Sequence, residues 1–396
     1  MAPALLPELF RIFVSMKRLL LIIAFTTAAL YLQARGLRVA LVGDPQVDNE
    51  TELQYARKSI YSELKARKDL DLVIILGDLV NDNAGLLMPS KESLDSLPCP
   101  WICTPGNHDK DLYKSIPVPR DLASFRGILG YTDTTFTMRG VRFISMDNVR
   151  TVDRGGYEAG FTDGQLEWLS AAVSTTAEGT LIVFCTHIPV SEMKCQDELE
   201  DIFKGRGNDL VVVCGHTHTI SRGQTVLGTE ENVIGATCGT WWRGPEDDHG
   251  IPQATMNCGA PRGYFVMDIK GKDYSLRFKQ VHGTREASAR VSDDGRLTVN
   301  IFGGSRNGKV EYRLNGWKEL PHKMMIAPEV QDIIDFNKAN KEYTRSHRDE
   351  YMPMLTRNSP HIWSAKVPGS GALKGKKMAI RYTDGHMEFK TKVIVD

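Results

Sequence analysis

The sequence predicts an α/β fold over residues 36–283, followed by a small β-sandwich-like domain over residues 284–396. Two observations predict the first domain. Apolar, mostly β-branched runs alternate with amphipathic segments of helical spacing, and several of these runs end in a short polar block. A third observation marks the boundary, because beyond Gly283 short strand-like runs alternate with Gly-rich turns. The chain of 396 residues is long enough for two such domains.

The elements of the first domain follow from its hydrophobic pattern. Helical spacing predicts helices at Glu52–Lys68 and Asp163–Ala172, the second capped by Asp163 or Thr162. A hairpin is expected around Arg139-Gly140. Apolar runs predict the strands Leu37–Val42, Asp71–Leu76, Pro100–Cys103, Phe136–Met138, Val141–Met146, Leu181–Cys185, Leu210–Cys214, Val233–Cys238, Gly263–Ile269 and Tyr274–Val281.

The second domain is predicted to be mostly β, with one helical insertion. The helical stretch runs from Pro328 to about Arg348, with Pro328 well placed in a first helical turn. The predicted strands around it are Arg296–Phe302, Lys309–Leu314, His361–Lys366, Lys377–Tyr382 and Met387–Val395.

The first 35 residues have the pattern of an export leader. Lys17 and Arg18 precede a short apolar run, and Ala29 and Ala34 are the candidate cleavage positions. The run is short for a membrane span, which needs roughly 20 apolar residues. We therefore expect a signal peptide and a protein that is periplasmic, at the cell surface or secreted. The alternative is an uncleaved signal anchor, which alone would give the chain a stable membrane partner.

Charge and cysteine content exclude some classes of function. Lysine plus arginine equals aspartate plus glutamate, so the charge indicates no preference for nucleic acid. The seven cysteines contain no CxxC pair, which argues against a structural zinc site. In an exported chain Cys238 with Cys258, or Cys99 with Cys103, could oxidise, and the odd count leaves at least one thiol free.

Five short polar blocks are the most informative feature of the chain, because each follows a strand-like apolar run. In order they read Asp44-Pro45-Gln46, Gly77-Asp78, Gly106-Asn107-His108-Asp109, Thr186-His187 and Gly215-His216-Thr217-His218. Loops at the ends of successive strands meet at one edge of a sheet, where ligands and catalytic groups gather. Oxygen and imidazole ligands converging there can hold two divalent metals, a device suited to the hydrolysis of phosphate esters.

In this order the blocks resemble the signature of the calcineurin-like metallophosphoesterase family. The resemblance covers residues 37–282 and implies a two-sheet sandwich flanked by helices. The stretches Trp241-Trp242-Arg243-Gly244 and Gly259-Ala260-Pro261-Arg262-Gly263-Tyr264, with the domain that follows, resemble an exported bacterial subgroup that carries a C-terminal domain of its own.

The resemblance implies two divalent metal ions that share one carboxylate. Carried over to this sequence, Asp78 would bridge the metals. Asp44, Gln46 and His218 would complete the first metal site, and Asn107, His187 and His216 the second. The implied reaction is hydrolysis of phosphate monoesters or diesters by a hydroxide that bridges the two metals. A phosphorylated small molecule or a phosphodiester would be the substrate.

Two further residues have roles implied by the family. His108 would stabilise or protonate the leaving oxygen, because it follows the ligand Asn107 on the same loop. Asp109 could orient the His108 ring, as carboxylates next to functional histidines do. Asp82 could play a similar role behind the metal ligands.

Gln46 departs from the family pattern, which has His there in most members. A carboxamide oxygen is a harder ligand than imidazole, so the metals could be Mn, Fe, Zn or Mg, with Mn²⁺ or Fe²⁺ favoured over a tight zinc pair. Some branches with Gln cleave nucleotide-diphosphate compounds, which keeps a pyrophosphatase as an alternative. A non-catalytic binding protein that retains the fold is the third alternative, although relatives of that kind typically lack ligands.

Substrate-binding residues are less well defined by the sequence. Trp241 and Arg243 could form a substrate platform with Trp242, or could pack between the domains. Asn148 follows a strand and could line the pocket or form a turn. The C-terminal domain has no recognisable motif; it could cap the active-site edge, bind a surface glycan or stabilise the first domain.

Overall fold

A computed structural model of the chain describes residues 36–111, 121–152, 156–348 and 350–396. The predicted leader and its cleavage site lie outside the described residues, so both stay predictions. Within the described part of the chain, no helix combines the length and the apolar character that a membrane crossing requires.

Two facing β-sheets form the first part of the structure. The first sheet has the order β13-β12-β1-β2-β3 and the second the order β10-β11-β9-β8-β5-β4. Strands β1, β2 and β3 are parallel, as are β5, β8 and β9. The strands of these sheets are β1 (Leu37–Val42), β2 (Leu72–Ile75), β3 (Trp101–Cys103), β4 (Thr134–Met138), β5 (Val141–Ser145), β8 (Ile182–Cys185), β9 (Leu210–Cys214), β10 (Ser221–Gln224), β11 (Glu230–Val233), β12 (Gly263–Lys270) and β13 (Asp273–Gln280). A small separate ribbon consists of β6 (Val149–Thr151) and β7 (Tyr157–Ala159).

Helices cover the outer faces of both sheets. Against the first sheet pack α1 (Glu50–Ala56), a π-helical segment (Arg57–Tyr61), α2 (Ser62–Ala66), α3 (Leu87–Asp95) and α4 (Ala123–Leu129); against the second pack α5 (Asp163–Ser174) and α6 (Gln196–Ile202). Asn49 caps α1 by accepting the Glu52 N–H at 3.1 Å. Thr162, one of the two predicted caps, forms a capping box with Gln165.

The core explains why the central strands read as continuous apolar runs. Along β1, Leu41 packs into the core between the two sheets, whereas Ala40 and Val42 pack against the helices. Phe184 of β8 faces the second helical layer, and Val183 faces the first sheet. Strands buried on both faces need apolar residues on both faces. The predicted two-sheet sandwich flanked by helices is confirmed.

The last part of the chain is β-rich, as predicted. Two antiparallel four-stranded sheets have the orders β14-β15-β19-β18 and β17-β16-β20-β21. Their strands are β14 (Ala287–Val291), β15 (Arg296–Ile301), β16 (Lys309–Arg313), β17 (Trp317–Leu320), β18 (His322–Met325), β19 (Ser359–Lys366), β20 (Lys377–Thr383) and β21 (Glu388–Ile394). The helical insertion is α7 (Pro328–Ala339) and α8 (Lys341–Ser346), separated at Asn340, whose backbone leaves the helical region.

Two expectations differ from the structure. The predicted strand Val233–Cys238 is wrong beyond Val233, because the chain turns at Gly235 (φ +78°) and crosses to the first sheet, where Thr237 N donates to Gly43 O at 2.8 Å. All seven cysteines are free thiols, so neither Cys238–Cys258 nor Cys99–Cys103 forms a disulfide. Cys238 Sγ lies instead 3.4 Å from Gln46 Oε1.

Candidate metal centre and active site

The five polar blocks lie at the carboxyl ends of five strands, three in the first sheet and two in the second. Asp44, Asp78 and Asn107 follow the parallel strands β1, β2 and β3. His187 follows β8, and His216 follows β9. Because the two sheets face each other, all five blocks reach one cleft, as the order of the blocks predicts.

The backbone is strained where these side chains converge. Asp44, Gln46, Asp78, His216 and His218 all have positive φ angles, between +42° and +71°. Each such conformation costs a non-glycine residue on the order of 1–3 kcal/mol, and it persists only where the surrounding structure enforces it. Strain at five of the seven predicted ligands is the pattern expected of a functional site, and makes this cleft the candidate.

Ligand atoms of three residues crowd around the His187 ring. His187 Nε2 lies 3.3 Å from Asp78 Oδ2, 3.0 Å from Asn107 Oδ1 and 3.2 Å from His216 Nδ1. Asp78, His187 and His216 offer ligand atoms that lie within 4.8 Å of one another. Gln46 Nε2 donates to the same oxygen, Asp78 Oδ2, at 3.4 Å.

Hydrogen bonds fix which nitrogen of two histidines faces the cleft. His187 Nδ1 donates to Leu76 O at 2.8 Å, and His218 Nδ1 donates to Gly239 O at 2.6 Å. A carbonyl oxygen only accepts, so each Nδ1 carries a proton and Nε2 is the nitrogen that faces the cleft. Histidines that bind metals are commonly held this way by backbone carbonyls.

Burial sets the charge of the side chains in the cleft. Burial lowers the pKa of His216 to about 3 and of His218 to about 4, which leaves both imidazoles neutral at pH 7. Burial alone would lower the pKa of His187, but the adjacent Asp78 carboxylate outweighs it and raises this pKa to about 10. Burial also raises the pKa of Asp44 well above its usual range. Two buried carboxyl groups and the neutral imidazoles of His216 and His218 are a donor set that suits divalent cations, which bind the deprotonated form of each ligand.

His108 is held by a different carboxylate from the one first expected. His108 Nδ1 lies 3.2 Å from Asp82 Oδ2. Asp109 is buried instead behind the loop, where its carboxylate accepts the N–H groups of Val80 at 3.1 Å and Gly106 at 2.8 Å. The expectation that Asp109 orients the His108 ring is therefore corrected: its side chain points back into the fold and joins two of the loops, while Asp82 faces the ring.

The predicted substrate residues lie in three different places. Trp241 lines the cleft and packs on His218, with ring centroids 4.7 Å apart. Trp242 is buried and donates to Pro45 O at 2.8 Å. Arg243 lies outside the cleft, in a separate groove beside α7 and α8.

Asn148 lies behind the His187 loop rather than at the cleft surface. Its side chain is fully buried, with Oδ1 accepting the N–H groups of His187 and Ile188 at 3.1 Å each and Nδ2 donating to Ile188 O at 2.7 Å. These hydrogen bonds fix the backbone that carries the His187 ring. The expected contact with substrate is corrected to a structural role by this geometry.

Five residues that lie outside the polar blocks and that the sequence analysis did not select also line the cleft, which encloses about 250 Å³. One of them is Glu192, which adds a carboxylate to the wall. Tyr157 packs edge-on against His216, with ring centroids 5.9 Å apart. Asn257, Leu355 and Arg357 complete the wall, the last two from the C-terminal domain. No motif in the sequence indicates them, and Leu355 and Arg357 reach the cleft only through the packing of the two domains.

Comparisons with known proteins agree with this architecture. A sequence profile of the family described as calcineurin-like phosphoesterase matches residues 37–219, and a profile described as the C terminal of calcineurin-like phosphoesterase matches residues 231–389. No curated protein matches the sequence.

Solved structures with similarity to the chain include a dimetal phosphatase from Danio rerio, at 12% identity and a TM-score of 0.42 over 62% of this chain and 97% of that one. A purple acid phosphatase from yellow lupin seeds matches at 13% identity and a TM-score of 0.42 over 62% of this chain and 52% of that one. GAP50 of Plasmodium matches at 14% identity and a TM-score of 0.41, over 62% and 85% respectively.

Proposed function

Because the chain belongs to the calcineurin-like phosphoesterase family and is a phosphoesterase hydrolase, we propose that it hydrolyses phosphate monoesters or diesters with two divalent metal ions. The proposed ligands are Asp44, Gln46, Asp78, Asn107, His187, His216 and His218. The observation that carries the proposal is the convergence of these seven side chains, from both sheets, on one strained and buried cleft.

The residues fit the roles proposed for them. Asp78 contacts one proposed ligand of each site, with Gln46 Nε2 at 3.4 Å and His187 Nε2 at 3.3 Å from its Oδ2. It is therefore placed to be shared by two cations. When bound, such cations would lower the pKa of a water molecule and offset the charge of the phosphate.

Side chains of the cleft would position the ester. His108 keeps its backbone N–H on Asp78 Oδ1 at 2.8 Å, which fixes the loop that presents its ring. The ring is half-buried against Asp82, so it can hold a proton for the leaving oxygen. Arg357, rather than Arg243, is the arginine that lines the cleft and can bind a phosphate oxygen.

Replacement of the shared ligand tests the proposal. Asp78→Ala and His216→Ala should each lower Mn²⁺-dependent hydrolysis of 4-nitrophenyl phosphate on the order of 10³-fold or more, since a metal centre supplies several kcal/mol of stabilisation. Asp197→Ala, at an exposed site on α6, removes a carboxylate elsewhere and should leave the rate unchanged. Wild-type turnover by Asp78→Ala would refute the proposed metal centre.

A pyrophosphatase acting on nucleotide-diphosphate compounds is the second candidate, and the presence of Gln46 favours it. Gln46 is fully buried in the cleft and takes the place where most of the family has His. Turnover of an aryl phosphate, a bis-aryl phosphate and a sugar nucleotide by the same Mn²⁺-loaded protein separates monoesterase, diesterase and pyrophosphatase. The same preparations loaded with Fe, Zn or Mg would identify the active metal.

Export is proposed on the leader pattern alone. Expression of the full chain in a bacterial host, followed by N-terminal sequencing of the mature protein, would locate the cleavage site. A mature chain that retains Lys17 and Arg18 in the membrane fraction would favour the uncleaved anchor.

A further inference from the structure

A groove of about 660 Å³ lies beside the active-site cleft, and its rim is cationic. Helices α7 and α8 and the segment 351–356 form its walls. The described residues that line it include five cationic side chains and no carboxylate: Arg243, Lys338, Lys341, Arg345 and Arg348. The chain as a whole has no net charge, so this basic groove is a local concentration of positive charge.

Most of these cations have no carboxylate within ion-pair distance among the residues that the structure describes, although Arg243 interacts electrostatically with Glu52. Within the described part of the chain, Lys338 alone among the five forms an ion pair, at 4.0 Å from Asp335. Lys341, Arg345 and Arg348 are exposed and project from the helical insertion. Like charges gathered without neutralising partners repel one another, which is a cost that an anionic ligand removes.

One segment of chain forms the wall between the basic groove and the active-site cleft. Met354 and Thr356 line the groove, while Leu355 and Arg357 line the cleft. Alternate residues therefore line opposite cavities, and two tight turns shape the segment, with the N–H groups of Met354 and Arg357 donating to Met352 O at 2.9 Å and Leu355 O at 2.8 Å. The two cavities are separated by a single chain, so a ligand would span about 10 Å, two strand spacings, from one to the other.

The dividing segment is fixed on both sides. Asn257, which lines the cleft, accepts the Leu355 N–H at 3.0 Å, and Asn337, which lines the groove, donates to Met352 O at 3.0 Å. Nearby, Trp241 lines the cleft and Arg243 the groove, so a second stretch of chain also contributes to both cavities.

The sizes of the two cavities suggest that they bind different parts of the substrate. The cleft of about 250 Å³ is smaller than typical ligand pockets of about 300–1,000 Å³, whereas the groove falls within that range. Ile334, Tyr351 and Met354 give the groove apolar surface between its cations. An organic group with an acidic end would satisfy both the apolar surface and the cationic rim.

We propose that the basic groove binds the leaving group of the substrate, and that this leaving group is an organic moiety with a second anionic group about 10 Å from the scissile phosphate. The proposal rests on the phosphoesterase function above and specifies its substrate class. The second anion, a carboxylate, sulfate or phosphate, contacts Lys341 and Arg345, and the apolar body lies over Ile334 and Met354.

A matched pair of aryl phosphates tests the proposal. 4′-Carboxybiphenyl-4-yl phosphate carries an anion at about the required distance, and its 4′-carboxamide has nearly the same shape without the charge. The wild-type protein should hydrolyse the carboxylate with about tenfold higher kcat/KM, the equivalent of one charge-assisted hydrogen bond, through a lower KM. The preference should fall as ionic strength rises.

The double variant Lys341→Gln/Arg345→Gln should abolish that preference and leave turnover of the carboxamide unchanged, because Gln keeps the helix propensity and removes the charges. Lys65→Gln/Lys204→Gln makes the same change in net charge at residues that line neither cavity, and should keep the preference. A preference unaffected by the first variant, or equally lost in the second, would overturn the proposal.

Binding of biphenyl-4,4′-dicarboxylate to EDTA-treated protein, measured by calorimetry, separates the groove from catalysis. The wild type should bind and Lys341→Gln/Arg345→Gln should bind about tenfold more weakly; equal affinity would contradict the groove as the site. If the phosphoesterase function itself fails, neither aryl phosphate is hydrolysed while this binding persists. If only the groove fails, both are hydrolysed at equal rates.

Discussion

Replacement of Arg222 tests how the two parts of the chain are held together. Arg222 is 1% exposed and extends from β10 into the C-terminal domain. Its guanidinium contacts Asp384 at 2.7 Å, Glu230 at 2.8 Å, Asn232 Oδ1 at 3.0 Å and Gly303 O at 3.3 Å. Arg222→Met removes the charge and keeps much of the aliphatic volume, so it isolates this network.

The expected loss in free energy of unfolding follows from the interactions that the partners of Arg222 lose. Loss of one member of a buried ion pair costs about 3–5 kcal/mol, because the other charge stays buried without compensation. Asp384 keeps the N–H groups of His386 and Met387 at 2.7 Å each and the hydroxyl of Tyr382, which places the expected cost near the lower end, at about 3 kcal/mol. At about 2–4 °C per kcal/mol, the Tm should fall by about 6–12 °C for Arg222→Met.

Thermal denaturation followed by circular dichroism measures this effect. Burial opposes ionisation of Asp384, but Arg222 and Tyr382 outweigh it and hold its pKa below the usual range. The ionised network therefore stabilises the fold fully above the unfolded pKa of about 4, and this stabilisation is lost as pH falls through the folded pKa. The difference from wild type should therefore shrink below about pH 4. Adding Asp384→Asn to Arg222→Met should recover part of the loss. A Tm change under about 2 °C at pH 7 would refute the reasoning.

Four other substitutions have defined outcomes. Asp44→Asn should raise the Tm of EDTA-treated protein by at least about 2 °C, because it removes an acid group whose burial raises its pKa. The same variant should weaken Mn²⁺ binding in a calorimetric titration, and unchanged binding would contradict the assignment of Asp44 as a ligand. Burial raises the pKa of Glu231 from 4.5 to about 7, so the wild type should lose up to about 3 kcal/mol of stability as pH rises through that range, and Glu231→Gln should lack this slope in urea titrations. Asp82→Asn should lower kcat about 10–100-fold at unchanged metal content, because Asp82 faces the His108 ring. Asp109→Asn should instead weaken metal binding, because it loosens two loops that carry ligands. The reverse pattern would favour Asp109 as the residue that orients His108.

The sequence predicts the convergence of the proposed metal ligands better than the orientation of their neighbours, for a physical reason. Ligands follow buried strands such as Leu37–Val42 and Leu210–Cys214, whose apolar runs give the strand ends to within a residue. Convergence of the blocks then follows from parallel strands, which share one edge. Orientation does not follow: Asp109 adjoins His108 in sequence, yet its side chain points back into the fold and Asp82 faces the ring.

Features that depend on packing between distant segments could not be predicted from the sequence. The strand predicted at Val233–Cys238 is as apolar as a strand requires, but the chain leaves the sheet at Gly235 to contact the loop after β1. Arg357 lies in a polar stretch that the sequence marks only as a loop, and it reaches the cleft because the C-terminal domain packs there. That placement supports a capping role among the three roles considered for this domain.

Metal content is the most direct test of the central claim, that one set of side chains from both sheets binds a pair of cations. Protein loaded with Mn²⁺, dialysed and analysed for metal should hold about two ions per chain. Asp78→Ala should lose both ions, since the shared carboxylate belongs to both sites, and Asp197→Ala should retain both. A wild-type protein without bound metal, or an Asp78→Ala protein that still holds two ions, would contradict the account.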